Sequence, residues 1–186
     1  TRVVQISALG AAEKGAKYAR TKYRGEQAVR AAVPTATVLR PSVVFGPEDT
    51  FFNRFAQMAA TAPALPLIGG GKTKFQPIFV GDVADAICAA LDRADARGRI
   101  YELGGPRTYT FKQLLEFITA EIQRPRAFVP LPFVFAQPIG LLCGWVFGLI
   151  PFVAPPLTGD QVTMLKRDNV VSGEAGTIAP FGGTPR

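Results

Sequence analysis

The stretch "YARTKYRGEQAVRAAVPTATVLRPS", residues 18–42, decides the fold. Its first half is free of proline and brings Ala28, Val29 and Ala32 to one side, which predicts a helix from about Tyr18 to Ala32 with those three inward. "TATVLR" is the next strand, and Pro41 follows at once. Upstream, "RVVQIS" is a continuous apolar run of the kind found in strands buried on both faces. Strand, helix and strand in this order form a βα unit, and its two strands run parallel.

The alternation continues. "TFFNRFAQMAATA" reads as a helix stopped by Pro63, "GGGKTK" as a flexible turn and "FQPIFV" as a strand. Asp82 is placed to cap the helix "VADAICAALDRA", which Gly98 closes; "RIYELGG" is another strand. Thr110 caps "FKQLLEFITAEI", whose Phe111, Leu114, Leu115 and Ile118 share a face. The fold class is therefore α/β, with a mainly parallel sheet covered on both faces. Ligands of such sheets bind beyond the carboxyl ends of the strands, which directs attention to the loops after Ser7 and Arg40.

Composition narrows the chemistry. A chain of 186 residues with 48% hydrophobic content buries one substantial core. There is no histidine, which excludes Ser-His-Asp triads, Cys-His pairs and His-built zinc sites; with two cysteines, Cys88 and Cys143, no metal site is expected. Both thiols read as small hydrophobes in a reducing compartment. The formal charge of +7 concentrates at Lys14, Lys17, Arg20, Lys22, Arg24 and Arg30. That cluster suits a phosphate-bearing cofactor, anionic lipid or an acidic protein; no stacking-aromatic motif accompanies it, so nucleic acid is not expected. A merely solvated basic face accounts for it equally well.

Tyr18 and Lys22 lie four apart on the predicted helix and so project from one face. A phenol and an ammonium so placed can do acid–base work, since the cation favours phenolate and lowers the tyrosine pKa from about 10. The lysine can also hydrogen-bond ribose hydroxyls, and Ser7, at a strand end, can orient a substrate oxygen.

The succession "ISALGA", "YARTKYRGE", "TVLRPSVVFGPED" and "FQPIFVGDVADAI" resembles the second half of the extended and atypical short-chain dehydrogenase/reductase family, NAD-dependent epimerase/dehydratase-like members included. The resemblance runs from residue 3 to about residue 170. It implies the second half of a Rossmann-like doubly wound parallel sheet with a small C-terminal substrate lobe. It also implies Tyr18, Lys22 and Ser7 as the catalytic set, and Tyr18, Lys22, Pro41, Ser42 and Val43 as cofactor-binding residues beside the nicotinamide. The family's glycine-rich phosphate turn is absent from these residues, so the chain, which opens on an apolar run without a targeting pattern, reads as the interior of something longer. Eleven positions separate Ser7 from Tyr18, fewer than in typical active members, which sets a structural role beside turnover.

"FNRFAQMAATAPALPLIGGGKTKFQPIFVGDVADAI" and "PPLTGDQVTMLKRDNVVS" are similar to the branch of this family that serves as a dehydrogenase-like accessory subunit of bacterial respiratory complex I. That likeness implies NADP, or else NAD, held as a structural element, with membrane-bound respiratory-complex subunits as partners and lipid or quinone as a further contact. It implies a peripheral place on the cytoplasmic face of the bacterial inner membrane. The alternatives are an active NAD(P)-dependent reductase or epimerase and a nucleotide-sensing redox regulator.

From Phe128 to Leu157 the sequence carries no charge. Its proline-free piece, Ile139 to Ile150, would make a helix about 18 Å long, too short for a hydrocarbon core of about 30 Å. Gly140, Gly144 and Gly148 form a ridge flanked by Trp145 and Phe147, fit for a leaflet interface, a membrane partner or burial in the chain's own lobe. "TGDQVTMLKRDNV" opens on a capping pattern and reads as a short amphipathic helix with Val162, Met164 and Leu165 inward. The expected organisation is residues 1–127 as the cofactor half with interleaved lobe segments, 128–172 as a membrane- or partner-facing lobe and 173–186 as a glycine-rich tail.

Overall fold

A computed structural model describes residues 2–148 and 157–173. Its elements are β1 (Val4–Ile6), α1 (Lys17–Ala32), β2 (Thr37–Pro41), β3 (Val44–Phe45), α2 (Phe52–Thr61), β4 (Ala64–Ile68), β5 (Lys74–Phe75), β6 (Ile78–Phe79), α3 (Val80–Asp92), β7 (Ile100–Leu103), β8 (Tyr109–Thr110), α4 (Phe111–Glu121), β9 (Ala127–Leu131), α5 (Phe133–Gly148) and α6 (Gly159–Met164). The tail expected beyond Gly173 and the helix end expected at Ile150 lie outside the described residues. So do the side chain of Phe147 and the surroundings of Gly144 and Gly148.

The chain forms two compact units, interleaved in sequence: residues 2–51, 75–109 and 169–173 make the first, and 52–74 with 110–168 the second. The first is built on a parallel sheet in the order β1-β2-β7. Ile6, Leu39 and Tyr101 stand in register and, with Val4 and Leu103, pack on Val83, Ala86 and Ala90 of α3. Strand alternation turns Arg40 and its register partner Glu102 to the opposite face, where α1 lies. The sheet thus carries a helix on each side. β1 stands first in this order, and its three residues are half-buried.

Several local expectations change. Ala28 and Ala32 are exposed, and the buried residue of α1 is Glu26, because the helix meets the sheet through an ion pair rather than an alanine face. Helix α3 starts at Val80 on Phe79, so Asp82 is not its cap; it lies buried in the first turn, where negative charge still suits the helix end. The same helix ends at Asp92, and Gly98, at φ +69°, closes the short 3₁₀ turn that follows.

The second unit contains a parallel pair that sequence reading missed, β4 with β9, registered from Ala64↔Ala127 to Ile68↔Leu131. Each strand holds a proline, Pro66 and Pro130, which a two-stranded sheet tolerates because every strand is an edge. The glycine turn after β4 is packed, not flexible: a side chain on Gly69 would meet the Phe133 ring at 2.4 Å, and all three glycines have positive φ. Thr110 and Thr158 each head a capping box, with Gln113 and Gln161. Phe111, Leu114, Leu115 and Ile118 are buried as expected, and Val162 and Leu165 likewise; Met164 is exposed. Helix α5 begins at Phe133, six residues before its expected start, and continues through Pro138. At 16 residues it is about 24 Å long, and no helix among the described residues is long and apolar enough to cross a membrane.

Candidate nucleotide site at the carboxyl edge of the sheet

The loops after the three parallel strands of the first unit are tied together by backbone hydrogen bonds. Ser7 N–H donates to Leu39 (2.8 Å), Leu9 N–H to Pro41 (2.9 Å) and Ser42 N–H to Leu103 (2.8 Å), so Ser7, Pro41 and Ser42 line one edge of the sheet. Ala12 N–H donates to Ala19 (3.3 Å), joining the loop after β1 to the first turns of α1, where Tyr18 stands.

Ser7 follows Ile6 by one residue, so alternation turns its side chain to the face that Arg40 and α1 share. It is 3% exposed, and its Oγ has no hydrogen-bond partner among the described residues. Leaving a buried hydroxyl unsatisfied costs about 1–3 kcal/mol, which a bound group with a matching polar atom would recover.

On α1, Tyr18, Lys22 and Glu26 are spaced by four and span an arc of about 80°. Lys22 Nζ stands 5.6 Å from the Tyr18 ring centroid in a cation–π contact. The acidity of the phenol differs from the expected one. Desolvation pushes the Tyr18 phenol above its usual value, so the side chain holds its proton at neutral pH instead of being drawn toward phenolate.

One turn further on, the Glu26 carboxylate is 1% exposed and accepts two hydrogen bonds from Arg40, at 2.9 Å from Nε and 2.6 Å from Nη2. This bidentate pair fastens the Tyr18–Lys22–Glu26 face of α1 to β2 and holds the arginine more strongly protonated than usual. Sequence reading missed it. Its signal was the continuation of the four-residue spacing from Tyr18 through Lys22 to Glu26. Lys17, Arg20 and Arg24 occupy the far side of the helix, exposed, as a basic stripe.

Of the residues expected beside a nicotinamide, Pro41 and Ser42 are buried and Val43 is half-buried. The Ser42 hydroxyl donates to the Asn169 side chain at 2.6 Å, a partner from the far end of the chain that sequence reading did not anticipate. No group of three or more Cys, Asp or Glu side chains among the described residues could hold a metal ion. A buried hydroxyl without a partner among the described residues at the carboxyl edge of the sheet, and a protonated phenol with an ammonium against its ring on α1, are groups able to meet the polar atoms of a dinucleotide and a carbonyl or alcohol oxygen.

The chain is similar to known proteins over most of its length. The model of the NAD dependent epimerase/dehydratase family matches residues 7–104. The chain is 38% identical over 179 residues to NADH dehydrogenase (ubiquinone) 1 alpha subcomplex subunit 9, mitochondrial, of Arabidopsis thaliana, a match covering 94% of this chain and 44% of that protein. The corresponding subunit of Rattus norvegicus is 35% identical over 187 residues, covering 99% of this chain and 48% of its own length. The chain thus spans about half the length of the curated relatives it matches. Among solved structures, the epimerase Mth375 of Methanothermobacter thermautotrophicus superposes with a TM-score of 0.61 at 19% identity, over 98% of this chain and 57% of that one.

Proposed function

The chain belongs to the NAD dependent epimerase/dehydratase family, and within it we propose an accessory, stabilising subunit of respiratory complex I, or a close quinone-linked relative, that holds NAD(P)H and rarely turns it over. One observation carries this reading. Identity to the mitochondrial subunits extends over 94% and 99% of the chain, through the second unit, whereas the general family model ends at residue 104.

The bound dinucleotide is NADPH in this reading, and it supplies a hydride donor when held. Lys22 would hydrogen-bond its ribose hydroxyls, Pro41 to Val43 would run past the nicotinamide, Ser7 Oγ would engage a polar atom of the bound group, and Tyr18 would keep its proton beside it. The apolar lobe supports the membrane side of the proposal. Val134, Phe135, Leu141, Leu142 and Trp145 on α5 are each more than 60% exposed, an arrangement suited to lipid, quinone or hydrophobic partner helices. Such a protein sits peripherally on the cytoplasmic face of a bacterial inner membrane.

The rival is an active reductase with Tyr18 as acid, Lys22 as its partner and Ser7 orienting the oxygen, and the Ser7 hydroxyl, which has no partner among the described residues, favours it. Full-length protein isolated with its nucleotide and offered a panel of carbonyl compounds and quinones separates the two. The accessory-subunit reading expects the nucleotide to stay reduced, Tyr18→Phe to leave complex I assembly intact, and Lys22→Ala to lose both nucleotide and assembly. Turnover abolished by Tyr18→Phe would establish the rival instead.

A further inference from the structure

The segment "TGDQVTMLKRDNV", among the most distinctive in the chain, carries Asn169 as its penultimate residue, and Asn169 lies in the first unit with the sheet. Asn169 grips the turn after β2 with several atoms. Its Oδ1 accepts from Ser42 Oγ at 2.6 Å and from the Val43 backbone N–H at 3.1 Å, and its own carbonyl oxygen accepts from Gln76 N–H at 3.0 Å. That carbonyl also lies 3.1 Å from Ser42 Oγ, and a β-bridge joins Asn169 to Phe75.

The consequence for Ser42 is chemical. A serine hydroxyl has one proton to give and two lone pairs to receive. Ser42 commits that proton to Asn169, its backbone N–H is committed to Leu103, and the side chain is left as an acceptor only. Val43 cannot donate elsewhere either, because its N–H also ends on Asn169. Asn169 thus sets the polarity of the Ser42 hydroxyl and, together with the backbone bonds to Leu103 and Ile78, holds the 42–43 turn in position.

We propose that Asn169 is a positioning residue of the nucleotide site: it holds Ser42 as a preset acceptor for an N–H or O–H of the nicotinamide end of the bound nucleotide and pins Val43 beside it. The proposal rests on the reading that residues 41–43 run past the nicotinamide. It gives the "RDNV" stretch a role in cofactor retention rather than in the lobe that precedes it. An aspartate at 169 would keep both acceptor contacts, whereas alanine would free the Ser42 hydroxyl to rotate and its proton to compete with the ligand's.

The test is a double-mutant cycle on the full-length protein, stripped of nucleotide and titrated with NADPH by its fluorescence. Asn169→Ala and Ser42→Ala should each weaken binding about tenfold, the loss expected for one hydrogen bond of about 1.4 kcal/mol. The double variant should lose about the same tenfold rather than about a hundredfold, because both changes remove one interaction. Asn169→Asp should bind within about threefold of the parent. A merely structural asparagine would instead lower the melting temperature and give losses that multiply with those of Ser42→Ala.

Binding of Asn169→Ala within twofold of the parent, multiplying losses, or failure of Asn169→Asp to retain NADPH while melting like the parent would each overturn the proposal. Should Asn169→Ala fail to fold, Asn169→Asp and its combination with Ser42→Ala complete the comparison. A parent protein that retains neither NADPH nor NADH would overturn the cofactor reading itself, and the proposal with it; Lys22→Ala, weakened while Asn169→Ala is not, would leave the reading standing and remove only the role of Asn169.

Discussion

Two helices of equal length, α1 and α5, handle their side chains in opposite ways. Helix α1 is rich in charge, and the one residue it buries is a glutamate. Helix α5 has no charge at all, yet it buries Ala136 and Gly140 while leaving Leu141, Leu142 and Trp145 exposed. In both, the usual sorting of apolar inside and charged outside is locally inverted. A helix face follows its tertiary partner: Arg40 on β2 gives Glu26 a bidentate anchor, and the close approach of α6 selects the small residues of α5. What is left over on each helix, a basic stripe on one and an apolar surface on the other, is then available to ligands and partners.

The contrast can be broken most forcefully at Glu26. Glu26→Ala strands the Arg40 guanidinium beneath α1 and should lower unfolding free energy by about 3 kcal/mol, at the lower end for one half of a buried pair. Chemical denaturation measures it, and Glu26→Leu with Arg40→Met should recover most of the loss. A shift below about 1 kcal/mol for Glu26→Ala would show that the pair does not anchor the helix.

The two faces of α5 sharpen the comparison at smaller scale. A methyl on Gly140 would stand 2.9 Å from the Gly159 nitrogen, so Gly140→Ala should cost about 1–3 kcal/mol through overpacking. Leu142→Gln, on the 61% exposed side, should change stability by less than about 0.5 kcal/mol while reducing sedimentation with lipid vesicles. Equal stability losses at the two positions would mean that the outer face is covered within the folded chain.

The smallest effect is at Tyr18. Its raised pKa means that the folded chain holds the phenolic proton more tightly than the unfolded chain does. The associated stability is complete below pH 10 and declines as pH rises through the folded-state value. Ultraviolet difference titration against Tyr18→Phe should give a midpoint above 10. A midpoint below 10 would restore the phenolate-favouring role first expected of Lys22.

Legibility followed locality. The capping boxes at Thr110 and Thr158, the buried face of α4 and the strands around Val38 and Tyr101 could all be read from neighbouring residues, because their hydrogen bonds and periodicities close within a few positions. The pair β4–β9 could not, since its strands are about sixty residues apart and each carries a proline that reads locally as a breaker. Asp82 misled for a related reason: as an acid near a helix start it resembles a cap, and only the backbone shows that the helix opens two residues earlier. At the candidate site, Ser7, Tyr18 and Lys22 were visible as residue types at a spacing, but Glu26 was hidden by its ordinary appearance on a polar helix and Asn169 by a separation of 127 residues from Ser42.

The sequence by itself determined the alternation of strands and helices, the parallel run of the sheet, the phenol and amine on one turn of α1, and a segment free of charge from Phe128 to Leu157, since these depend on local sterics, spacing and composition. Tertiary structure alone decided which face of each helix is buried, that a carboxylate rather than alanine fastens α1, and that an asparagine beyond α6 governs the turn after β2. Those outcomes depend on which groups distant in the chain are brought within about 3 Å of each other, and hydrogen bonds and packing energies exist only at that range.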